Sequence, residues 1–240
     1  MKSIDVMEVE MVQSIETIKD AQRERAIKIL PDTFLFKIKT TDDSTCQGYA
    51  IRHLNGRDIL LIDAISEKTI KDFRESGYHI KGILLTSGKV VKGIGESLQK
   101  MKEEAGDAPI FIHPLDTSIS SSATKDITGK HEIFSHFSLS VHHFPGVTGG
   151  SVVIHSEINN GMLFCGDSAV GSSYETDEHV FSRPENKDSA QDFGLAETWN
   201  SFDKEFAHIL PRCGKPQFDL EEAEQNDLLQ KLGRSGPISK

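Results

Sequence analysis

Residues 80–96 read IKGILLTSGKVVKGIGE, and they set the frame for the rest of the chain. Ile80, Ile83, Leu84 and Leu85 form a short apolar run of strand length. Residues 86–92 carry Thr, Ser, Gly and Lys and predict a turn. Gly93 and Gly95 then open a helix that places Ile94, Leu98 and Met101 on one face. At the turn the side chains on offer are Ser87, Lys89, Val91 and Lys92. That set has none of the imidazole, thiolate or carboxylate donors that hold transition metals.

Working outward, strands are expected at 33–39, 47–53 and 58–64, with Asn55-Gly56 as the hairpin turn between the last two. Upstream, Met7, Met11, Ile15 and Ile18 recur at helical spacing and predict an amphipathic helix over 6–26. Ser66 caps a helix carrying Ile70 and Phe73, and Gly77 supplies its left-handed stop. A buried strand follows at 108–113. The second half reads as strands near 131–136, 138–145, 150–156 and 161–166, the last two joined by Asn159-Asn160-Gly161. Residues 168–190 predict a long surface loop, and Leu195, Trp199, Phe202 and Phe206 a helix. A short strand at 208–211 and an acidic helix over 219–232 complete the chain.

The chain has 240 residues, enough for one large domain or two fused halves. A formal charge of −10 argues against nucleic-acid and anionic-membrane surfaces as partners. The apolar runs are strand-sized and the N-terminus carries acids, so neither a membrane span nor a signal peptide is expected, and the cytoplasm is the expected location. Cys46, Cys165 and Cys213 are odd in number and lack CxxC spacing, which fits a reducing compartment rather than a disulfide framework.

Five landmarks in order carry a family resemblance: ILLIDA at 59–64, ILLTSGKVVKGIG at 83–95, FPGVTGGSVVI at 144–154, LFCGD at 163–167 and ILPRCG at 209–214. Over residues 33–214 the sequence resembles the metallo-β-lactamase superfamily. The resemblance implies an α/β (α+β) fold, a four-layer αβ/βα sandwich with two mixed sheets between helices. It also implies three regions: an N-terminal helical extension over 1–30, the sandwich over 31–215 and an acidic tail over 216–240. Superfamily enzymes bind one or two zinc, iron or manganese ions through H-x-H-x-D-H, a P-G-H-T histidine, a bridging Asp and a last histidine. By resemblance those positions fall here on Ser87, Lys89, Val91 and Lys92, then Val147, Asp167 and Cys213. Asp167 alone is kept, and Cys213 is the one other weak candidate ligand, fewer than the roughly three protein ligands zinc requires.

The expectation is therefore a degenerate member with no metal cofactor, a pseudo-hydrolase or binding protein. Its partner would be a protein or a small molecule, with an anionic one suited to the lysines. Lys89 or Lys92 is expected to give Asp167 its counter-charge. The alternative is a thioester or ester hydrolase with a remodelled zinc, iron or manganese site using Asp167, Cys213 and a recruited ligand, while His113, ending a strand, is expected as a surface or satisfied histidine. A structural subunit docking through the 6–26 helix or the 168–190 loop is a third reading. Ser87 with Lys89 as base forms a further candidate pair. His142 and His143, adjacent on a strand, point to opposite faces and cannot share a metal. Cys165 and Asp167 are expected on one strand face, with Cys213 near Asp167, and a thiol role needs a stabilised thiolate.

Overall fold

The computed structural model describes residues 11, 14–39, 45–63, 66–91, 95–119, 124–184 and 194–234. Alternation of apolar side chains builds the first sheet. Strands β1 (Ile27–Leu30), β2 (Thr33–Lys39), β3 (Thr45–Arg52) and β4 (Asp58–Ile62) pair antiparallel. From β4 the pairing turns parallel through β5 (His79–Leu84), β6 (Ile110–Ile112) and β7 (Thr124–Asp126). Phe34, Phe36, Ile59 and Leu61 face α2 (Glu67–Glu75) and α3 (Gly95–Glu104), packing on Ile70, Phe73, Leu98 and Met101. Ser66 caps α2 by accepting from the Thr69 N–H at 3.2 Å, and Gly77 follows at φ 87°, both as the sequence implies.

The second sheet has the order β13–β10–β9–β8 among the described residues, from β8 (Leu139–His143), β9 (Val152–Ser156), β10 (Met162–Gly166) and β13 (His208–Pro211). Val152, Ile154, Met162, Phe164 and Leu210 meet Leu35, Tyr49 and Leu60 of the first sheet, forming the core between the sheets. On the outer face Val153, Leu163, Cys165 and Ile209 pack on α5 (Leu195–Ser201) and α6 (Glu222–Leu232) through Leu195, Trp199, Leu228 and Leu232. Each such fully buried large side chain contributes about 1.5–3 kcal/mol. Helix, sheet, sheet and helix are thus the four expected layers, with three cores between them.

Several elements differ from the sequence reading. Residues 131–136 do not form a strand; Glu132–His136 is the short helix α4, with Phe134 buried. The N-terminal helix is α1 (Ile15–Asp20), ending well before 26, and Ile18 is buried; residues 6–10, 12 and 13 of the expected helix lie outside the described residues. α5 stops at Ser201, although Phe202 and Phe206 still join the same core. The 168–190 segment, described to residue 184, contains a small ribbon of β11 (Val170–Gly171) and β12 (Phe181–Ser182). In the Asn55-Gly56 turn only Gly56 has positive φ, at 74°; Asn55 uses its Oδ1 to accept from the N–H groups of Arg57 and Asp58.

Candidate functional site

Four strands, two from each sheet, end at one edge of the sandwich and bring two acids together. Asp63 follows β4 with φ 51° and accepts from the Thr86 N–H at 2.8 Å and the Thr86 hydroxyl at 2.7 Å. Burial pushes its carboxyl up to about 6, against the hydrogen bonds from Thr86. Gly166 ends β10 with φ 55°, and a Cβ there would come within 2.3 Å of the Thr86 hydroxyl. Only glycine allows the two strand ends to close so tightly.

Asp167 comes next, and its counter-charge is Arg212. One guanidinium nitrogen, Nη1, donates to both carboxylate oxygens at 3.2 and 3.0 Å, with the two side chains 9% and 5% exposed. Burial works against the Arg212 charge, but Asp167, Cys46, Asp63 and Cys213 outweigh it and hold the guanidinium above its ordinary range. Its backbone is fixed from both sides: the Arg212 N–H donates to Gly166 O at 2.9 Å, and the Gln47 N–H donates to Arg212 O at 2.7 Å. This corrects the sequence expectation for Lys89. Lys89 is exposed, and Lys92 lies outside the described residues.

Cys213 lies where the sequence places it, its Sγ 3.6 Å from Asp167 Oδ1. It also meets Cys46 of β3, Sγ to Sγ at 2.9 Å, across a separation of 167 residues and with no local signal for the pairing. The contact with Cys46, burial and the nearby Asp167 all push the Cys213 thiol up, despite Arg212, so a thiolate is not favoured there. Cys165 does not share a face with Asp167. It sits in the helix-side core, burial raises it too, and strict alternation stops at Gly166.

The turn that follows β5 is a short 3-10 helix, Gly88–Val91. Asp116 holds it by accepting from the Gly88 N–H at 2.7 Å and from the Thr148 hydroxyl at 2.6 Å. Asp116 thereby ties this turn to the loop that bears half-buried Val147. Ser87 is buried and its Oγ has no hydrogen-bond partner among the described residues, while Lys89 points out, so no Ser–Lys pair forms. His113 stacks on His143 at 4.5 Å, and His142 bonds Ser140 at 2.9 Å, so the two adjacent histidines do diverge. Among the described residues, no three His, Cys, Asp or Glu side chains are grouped to hold a metal ion. The residues at this edge whose place in the cluster the sequence reading does not supply are Arg212, Cys46, Asp63 and Asp116. Arg212, next to Cys213 in the fifth landmark, and Asp63, within the first, are the two that lie in landmark stretches.

No family model matches the sequence, and no curated relative matches it. Solved structures match the fold over most of the chain. DIM-1 metallo-beta-lactamase is 14% identical, with a TM-score of 0.62 over 87% of this chain and 96% of that one. FIM-1 metallo-beta-lactamase from Pseudomonas aeruginosa, in a mono-zinc form, is 13% identical, with a TM-score of 0.58 over 87% and 94%. TTHA1623 in a di-iron-bound form is 20% identical, with a TM-score of 0.51 over 76% and 94%. The chain has the metallo-β-lactamase superfamily fold. No helix among the described residues is long and apolar enough to cross a membrane.

Proposed function

We propose that this chain is a non-catalytic, metal-independent protein on the metallo-β-lactamase fold, a pseudo-hydrolase whose cleft serves binding. The observation that carries this reading is the Arg212 guanidinium set on Asp167. Arginine keeps its charge at every physiological pH and needs no binding equilibrium, so it can do permanently the charge-balancing that a zinc or iron ion does in the metal-bound relatives. The donor set fits such an ion poorly. Val147 offers no donor, Lys89 is exposed, and both Asp167 oxygens are engaged. Cys213 as a raised thiol is a weak nucleophile and an unwilling ligand. A small molecule or a protein is the partner on this reading, and a reducing compartment such as the cytoplasm suits the thiols.

The experiment is metal analysis of tag-free protein grown with zinc, iron and manganese, paired with thioester and ester hydrolysis assays. Metal far below one equivalent and no hydrolysis above background are expected. Near-stoichiometric metal would overturn the reading and favour the alternative, a hydrolase with a remodelled site. That alternative draws support from one contact: the Cys213 sulfur lies 3.6 Å from the Asp167 carboxylate, the two residues it would use.

A further inference from the structure

A second charged site uses neither Arg212 nor Asp167. In β2, Leu35 points between the sheets and Phe34, Phe36 and Ile38 point to the helices, so alternation turns Lys37 inward beside Leu35. Its cross-strand neighbour is Gln47. Lys37 is only 8% exposed, yet among the described residues its ammonium has no carboxylate partner. It donates to the Lys19 backbone carbonyl and lies 5.1 Å from the centre of the Tyr174 ring. Burial pushes the ammonium down, only partly offset by Asp20. A buried ammonium without an anion costs free energy, which an arriving anion would recover.

The space beside it is shaped to take one. A cavity of about 600 Å³ is walled by Lys19, Arg23, Lys37, Ser173 and Tyr174, with small residues such as Ala21 and Gly171 leaving room. Among the lining residues the one acid is Glu175, already bonded to Lys19 at 2.7 Å. Arg23 is exposed and has no acidic partner among the described residues. Gln47 and Tyr174 are committed to the wall: Tyr174 donates to Gln47 Oε1, and Gln47 donates to Gly214 O at 2.7 Å. Lys37 as a mere cap on the last carbonyls of α1 would account for one of its bonds. It would not account for Arg23 at the same cavity.

We propose that this cavity is a binding site for a small molecule bearing an oxyanion, a phosphate or carboxylate held by Lys37 and Arg23. Charge-assisted hydrogen bonds from an ammonium and a guanidinium recognise both groups. The site uses neither Arg212 nor Asp167, so it stands or falls independently of the metal question.

The test is calorimetric titration of the full chain with inorganic phosphate and, separately, with succinate, and repetition with Lys37→Met and Arg23→Gln. Saturable one-site binding of at least one probe is expected, weakened about tenfold or more by either substitution. Arg23 is exposed, so Arg23→Gln should keep the melting temperature of the parent and separate lost binding from lost folding. If neither probe binds, or if binding is unchanged in Arg23→Gln, the proposal is overturned. Whichever probe binds more tightly identifies the headgroup chemistry.

Discussion

Replacing Arg212 by Met removes the guanidinium while keeping most of the side-chain volume, and leaves Asp167 as a buried acid with no counter-ion. Both side chains are at most 9% exposed, so water cannot take over. Breaking a buried pair from one side costs about 3–5 kcal/mol, a large part of a total of roughly 5–15 kcal/mol. For a chain of this size that corresponds to a melting temperature lower by about 6–20 °C. Asp63 responds as well, because Arg212 holds its carboxyl down, so the substitution drives Asp63 further up. The discriminating variant is Asp167→Asn with Arg212→Met, in which the charge and its partner leave together. Replacing both members of a buried pair is often nearly neutral, so the double variant should regain most of the loss, giving a coupling of about 2 kcal/mol or more. Urea unfolding at neutral pH, read by fluorescence of Trp199, measures all four corners of the cycle. A single variant within about 1 kcal/mol of the parent, or a double variant no more stable than the single one, would refute the view that Arg212 balances this pocket.

Three further perturbations test the surroundings. The Asp63 carboxyl is raised from 3.8 to about 6, so the unfolded chain releases its proton before the folded one does. Its contribution to stability is full below about pH 4 and is lost as the pH rises through about 6, on the order of 3 kcal/mol; Asp63→Asn should remove that falling slope from urea midpoints measured across the range. Asp116→Ala leaves the Gly88 N–H and the Thr148 hydroxyl without their acceptor and should cost about 2–3 kcal/mol in the same assay, while an unchanged midpoint would show that the clamp is dispensable. Oxidation with diamide should join Cys46 to Cys213, seen as one cross-linked peptide under non-reducing mass spectrometry, and leave buried Cys165 as a thiol; a link to Cys165 would contradict the arrangement.

The fold was legible because strand-length apolar runs, the Ser66 cap and the five ordered landmarks are local features, and local features survive in sequence. The misreadings have equally local causes. Residues 131–136, HEIFSH, contain too few positions for a period of two to be told from one of 3.6, and the segment is a helix. Phe202 and Phe206 continue the helical spacing of Leu195 and Trp199 by coincidence, reaching the same core after the helix has ended. The positions of Asp167 and Cys213 could be read from the landmarks, but their partners could not. Cys46 meets Cys213 from another sheet, and Arg212 reaches Asp167 across 45 residues of chain. The lysines of the turn drew attention as the nearest cations in sequence. The folded chain answers the charge from Arg212, at the end of the strand beside β10 in the same sheet.

A bound metal in a sandwich of this kind does two physical jobs: it balances converging acids, and it cross-links the loops at the sheet edge, so its binding energy is also folding energy. On the reading proposed here both jobs have passed to side chains of the protein. Arg212 balances Asp167 from β13, with its backbone tied to β10 and β3. Asp116 cross-links the turn after β5 to the loop before β9 through Gly88 and Thr148. The two devices share no residue, so their losses should add within about 0.5 kcal/mol in a variant lacking both. A chelator should then leave the melting temperature of the parent unchanged, because no folding energy is held in an exchangeable ion. A fall of several degrees with chelator would place a metal back in the fold and return these residues to the role of its ligands or neighbours.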